Sequence, residues 1–136
     1  MSPDEVIQPE ILPETESAYL NEKGFVWTAT KEGTGFIHIV IKDFPFPGFS
    51  PDKANLLIRL PPAYPNANPD MFWNYPTVKR PNGTLSKATE SQEAYNGITW
   101  QRWSRHMAAG LWRPGIDGLK TYITVIKKEI EKGKIL

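Results

Sequence analysis

The chain reads as an α+β domain: an antiparallel β-meander of about four strands, a long loop carrying the candidate site, and a packed C-terminal helix. Three observations predict it. Apolar residues alternate with polar ones in residues 36–44, and strand-like runs follow one another with turn residues between them. From Leu119 onward the apolar spacing changes to that of a helix. A chain of 136 residues suits one core and is short for two. We therefore expect a flexible N-terminal segment over residues 1–13 and a single domain over 14–136.

Pro3, Pro9 and Pro13 with little apolar periodicity give an extended lead-in. Residues 15–22 form a short helix closed by Gly24. Residues 25–30 and 36–44 are rich in aromatic and β-branched residues and flank a turn containing Gly33 and Gly35, so they form a hairpin. In its second strand Ile37, Ile39 and Ile41 share the core face, and His38 is expected at solvent or at a satisfied rim. A proline-rich connection over 45–51 leads to a third strand at 54–60 and a short fourth at 71–73. Residues 74–96 are polar and aperiodic, a length of loop that is commonly functional or mobile. Asp117 is placed to cap a last helix in which Leu119, Tyr122, Ile123, Ile126 and Ile130 share one face.

Composition removes several function classes. The 16 basic and 15 acidic residues leave a formal charge of +1, which argues against nucleic acid as a partner. The absence of cysteine rules out thiol catalysis and cysteine-held metals, and with His38 and His106 the only imidazoles, neither metal nor cofactor is expected. Gly33-Thr34-Gly35 is turn chemistry, too short to argue for phosphate binding. No window has the roughly 20 apolar residues of a membrane span, and the first residues do not read as a targeting signal, so a cytoplasmic protein is expected. Oligomeric state is left open.

Residues 100–117 hold three of the five tryptophans around a Ser104-Arg105-His106 triplet. Tryptophan is costly to expose, so Trp103 and Trp112 are expected to anchor a polar site, or only to pin a loop. Serine needs a base to become a nucleophile, and imidazole is the side chain type that ordinarily titrates near neutral pH. His106 can serve Ser104 only if the segment is extended or bent, since on a helix the two would point apart; its plain alternative is a loop histidine bonded to a backbone carbonyl. Asn96 reads either as an amide donor to an oxyanion or as part of a Tyr-Asn-Gly turn. Arg102 and Arg105 either attract a carboxylate or solvate the segment. Asp117 either orients His106 or caps the helix.

Residues 60–69, Leu-Pro-Pro-Ala-Tyr-Pro-Asn-Ala-Asn-Pro, resemble the strand-exit signature of the ubiquitin-conjugating enzyme superfamily. Trp112-Arg113-Pro114 lies eight residues after Ser104, as that family's Trp-x-Pro follows its catalytic cysteine. Asn96 lies eight before it, where the family has the asparagine of His-Pro-Asn, here without the His and Pro. Pro69-Asp70-Met71-Phe72-Trp73 with Trp103-Ser104-Arg105-His106 resembles a bacterial branch found with ubiquitin-like proteins, an activating-enzyme-like protein and a peptidase. The resemblance implies a conjugating-enzyme-like fold, with a ubiquitin-like protein and its activating enzyme as partners and Ser104 in the nucleophile's place. It leaves three readings: an oxyester on Ser104 passed on to an acceptor, a noncatalytic module that binds the carrier or its activating enzyme, or a thioester-forming enzyme whose cysteine has been replaced. A Ser-His esterase acting on small activated esters is a further alternative.

Overall fold

The protein is described here from a computed structural model covering residues 11–108 and 110–135. Helix α1 (Glu14–Glu22) starts after Pro13, and Gly24, at φ 76°, lets the chain turn from it into the sheet. The strands are β1 (Trp27–Lys31), β2 (Ile37–Pro45), β3 (Lys53–Leu60), β4 (Phe72–Tyr75), β5 (Gln92–Tyr95) and β6 (Ile98–Trp103), followed by helix α2 (Leu119–Gly133). They form one antiparallel sheet in the order β1-β2-β3-β4-β6-β5. The meander expected from the sequence is thus its first four strands. The last two were not expected: residues 98–103 are a strand, and β5 lies inside the segment read as loop.

Alternation decides which side chains meet the helices. Ile39, Ile41, Leu56, Ile58, Phe72 and Trp103 face α1 and α2 and are buried with Leu20, Tyr122, Ile123, Ile126 and Ile130. The helical spacing of α2 therefore marks its buried stripe. Leu12 is buried in the same core, and residues 1–10 of the expected lead-in lie outside the described residues.

The opposite sheet face has its own apolar cluster of Leu57, Trp73 and Trp100. His38 lies on this face and is only 2% exposed, so of its two expected placements the structure excludes solvent and leaves a satisfied position. Polar partners make its burial tolerable. Its Nε2 is 2.7 Å from Glu32 Oε2, and its Nδ1 lies 3.3 Å from the Asn96 amide. Arg59 joins them, 2.9 Å from Glu32 and stacked between the rings of Phe36 and Tyr95 at 4.2 and 4.4 Å. Burial pushes the His38 imidazole below its ordinary range, with Glu32 opposing and Arg59 adding to the effect.

The start of α2 is capped from across the chain. The Leu119 N–H donates to Glu16 Oε1 on α1 at 3.0 Å, and the Tyr64 hydroxyl donates to the same oxygen. The capping carboxylate is therefore Glu16 rather than Asp117. Gly118 leaves room for it, since a Cβ there would stand 2.5 Å from Glu16 Oε1. Gly118→Ala should displace this cap and lower unfolding free energy by about 1–2 kcal/mol, a typical cap loss. A urea midpoint unchanged from wild type would contradict that role.

Candidate functional site

Phe72 on β4 pairs with Trp103 on β6, but the next bond joins the Met71 N–H to the Arg105 carbonyl at 3.1 Å. Ser104 is the extra residue, a bulge at the end of the ladder. The Arg105 N–H folds back to the Trp103 carbonyl at 2.9 Å, closing a three-residue turn centred on Ser104. The segment is bent, as a Ser104–His106 pairing requires.

Both neighbours of this bulge carry left-handed backbone at residues other than glycine: Met71 at φ 62° and Ala88 at φ 58°. The Ala88 carbonyl accepts the Ser104 N–H at 3.1 Å, and the Met71 carbonyl accepts the Tyr122 hydroxyl at 2.6 Å. Strain of this kind persists only where the surroundings over-determine it, and it concentrates at functional sites. The other two such residues sit in irregularities of their own, Asp43 in the β2 bulge and Asn96 in a hairpin turn.

Ala88 is held because residues 76–91, a largely exposed connection, are stapled to the domain at the buried Val78, Ser86 and Thr89. Gln101 takes the Val78 N–H at 2.9 Å and donates to the Val78 and Thr89 carbonyls at 3.3 and 3.2 Å. The Ser86 hydroxyl reaches the Gly133 carbonyl of α2 at 2.9 Å. This connection is thus an ordered support under Ser104.

Ser104 Oγ accepts from Arg102 Nε at 3.1 Å, and Arg102 Nη1 lies 3.5 Å from Glu93 Oε2. His106 Nδ1 is 2.6 Å from Asp70 Oδ1 in a pair whose side chains are 61% and 53% exposed. At that exposure an ion pair adds little stability, about 0–1 kcal/mol, so its main effect is on ring orientation. With the proton on Nδ1 donated to Asp70, the Nε2 lone pair is left for a proton in transfer. Among the described residues no hydrogen bond joins Ser104 directly to His106.

The other sequence-derived residues divide clearly. Asn96 is not brought to Ser104: with Gly97 it forms the two-residue β5–β6 turn, both at positive φ, a strand's length from the bulge. Trp103 is fully buried, stacked on Phe72 at 5.2 Å and donating its indole N–H to Asn74 at 2.7 Å, so it anchors the bulge from beneath. Trp112 donates to the Pro65 carbonyl at 2.8 Å and pins the following loop to the β3–β4 connection. Arg105 lies over Trp103, 5.0 Å from the ring centroid and 4.0 Å from Glu129, and burial lowers its pKa against the pull of Glu129 and Glu90. It is engaged with α2 rather than presented to a carboxylate.

Asp117 bonds Arg113 and Thr121 and does not orient His106. The Arg113 side chain and backbone N–H hold its carboxyl below its ordinary pKa. The residue that orients His106 is Asp70, whose place in Pro-Asp-Met-Phe-Trp carries no signal of that role in the sequence. No group of histidine, aspartate and glutamate side chains among the described residues is arranged to hold a metal ion, and no described helix is long and apolar enough to cross a membrane.

A six-stranded antiparallel sheet with a helix before and after it and a Tyr-Pro strand exit are consistent with a conjugating-enzyme-like fold. The family model described as Prokaryotic E2 family E matches residues 12–133, and the chain belongs to that family. Membership implies ubiquitin-like conjugation as the setting, with a ubiquitin-like protein and its activating enzyme as partners. Neither the curated proteins nor the solved structures contain a match.

Because Asn96 carries positive φ and bonds His38, Asn96→Ala should cost about 1–2 kcal/mol in unfolding free energy, whereas Asn96→Gly should restore the turn's backbone freedom. Equal urea midpoints for the alanine variant and wild type would contradict the turn role.

Proposed function

We propose that the protein accepts the activated C-terminus of a ubiquitin-like protein on Ser104 as an oxyester and passes it to an acceptor. The observation that carries this reading is the bulge itself, in which Ser104 stands between two strained supports, with its Oγ bonded by Arg102 and a histidine paired with Asp70 two residues further on. In this reading His106, oriented by Asp70, takes the serine proton and later returns one to the leaving group. A cysteine is partly thiolate near neutral pH and a serine is not, so the pair supplies the activation that the missing thiol would not need. Trp103 and Trp112 fix the segment, while Arg102 contributes the local positive charge.

Intact-mass analysis after mixing the protein with its activating enzyme, the ubiquitin-like protein and ATP tests the reading. A carrier-sized adduct that survives reducing agent and is cleaved by hydroxylamine is expected, absent in Ser104→Ala. His106→Ala should slow its formation by about 10²–10⁴, the usual contribution of a general base. Ser104→Cys should give an adduct that reducing agent removes. No wild-type adduct despite retained carrier binding would instead favour the noncatalytic module.

A further inference from the structure

We infer that Arg102 is the residue that stabilises the oxyanion formed at Ser104, the role that the family's spacing would give to Asn96. This rests on the acylation proposed above and adds the group that bears the developing charge.

Position argues for it first. Asn96 precedes the first residue of β6 and Ser104 follows the last, so at the rise of an extended strand they are about 20 Å apart. Arg102 is instead on the strand's last turn of alternation before the bulge, on the face opposite the buried Trp103, with Nε already 3.1 Å from the reacting oxygen. The oxyanion of a tetrahedral intermediate sits on the carbon bonded to Oγ, so an acyl group oriented with its carbonyl oxygen toward Arg102 would place the oxyanion within the guanidinium's reach. Nη2 has no hydrogen-bond partner among the described residues, which leaves its two N–H groups to donate.

Preorganisation argues for it second. The Trp73 indole N–H donates to Glu93 Oε1 at 2.8 Å, while Glu93 Oε2 stands 3.5 Å from Arg102 Nη1. Trp73 is buried, so it anchors Glu93 beside the guanidinium before any substrate arrives, which lowers the reorganisation needed as charge develops. Because Arg102 donates to Oγ, it does not compete for the serine's own proton, which remains for His106.

The step balances. The Oγ–acyl bond forms as the bond from the acyl carbon to its leaving group breaks, with the electron pair leaving on a thiolate or an adenylate phosphate. The serine proton passes to His106 and then to a leaving thiolate, or to solvent where the leaving group stays ionised. Nothing is oxidised or reduced.

The test compares adduct formation rates in wild type, Arg102→Gln and Arg102→Lys, with carrier affinity and urea midpoint measured for each. Loss of one oxyanion donor typically costs 10²–10³ in rate, so Arg102→Gln should fall by about that factor with carrier affinity unchanged. Arg102→Lys, which keeps the charge without the planar fork, should recover part of it. If Arg102→Gln forms adduct within twofold of wild type, or if its loss follows carrier affinity instead, the assignment is overturned while serine acylation stands. If wild type forms no adduct, both fall.

Discussion

Met71 holds a backbone conformation that a long side chain seldom adopts, and it is held there from two sides: its N–H by the Arg105 carbonyl and its carbonyl by the Tyr122 hydroxyl of α2. Those two bonds join β4, the end of β6 and the C-terminal helix at one residue. Burial keeps the Tyr122 hydroxyl's pKa well above its ordinary value, so it remains a donor throughout the range in which proteins work. Because Met71 is bent, Asp70 beside it meets His106. Because Arg105 takes the ladder bond, Ser104 is left out of it. The exposed pair and the half-buried serine thus depend on a junction anchored in the core.

The two faces of the sheet divide the labour. One packs the helices through apolar side chains and holds Trp103 beneath the bulge. The other is polar and aromatic, with Glu32, His38, Arg59 and Asn96 bonded to one another at its β1–β2–β3 end and beneath the β5–β6 turn, and with Glu93 and Arg102 leading to Ser104. Burial opposes ionisation of Glu32, but Thr34, Arg59 and His38 outweigh it and keep its carboxyl below the usual range. A charged partner for Arg59 and a donor-accepting partner for His38 are thereby retained where an isolated buried charge would be costly.

Elements whose cause is local were legible in the sequence. The stripe on α2 and the isoleucines of β2 follow from burial of one face, and both read directly from periodicity. Strands β5 and β6 were obscured because their core-side and support positions include polar residues, notably Gln101, whose buried amide serves a loop rather than solvent. Ser104, His106 and Arg102 were visible as residue types in a tryptophan-rich run. Their arrangement was not: the orienting Asp70 is 36 residues from His106, and the cap from Glu16 reaches Leu119 over 103 residues. Spacing pointed to Asn96 as the oxyanion donor, whereas the hairpin puts it at the far end of the strand.

Under the proposed function the bulged serine itself carries the acyl group. Peptide mapping of the carrier adduct by tandem mass spectrometry at mildly acidic pH, where esters survive handling, tests it most directly. The carrier's C-terminal remnant is expected on the peptide spanning residues 103–105, attached at Ser104. A remnant found on a lysine or on any other hydroxyl would contradict it.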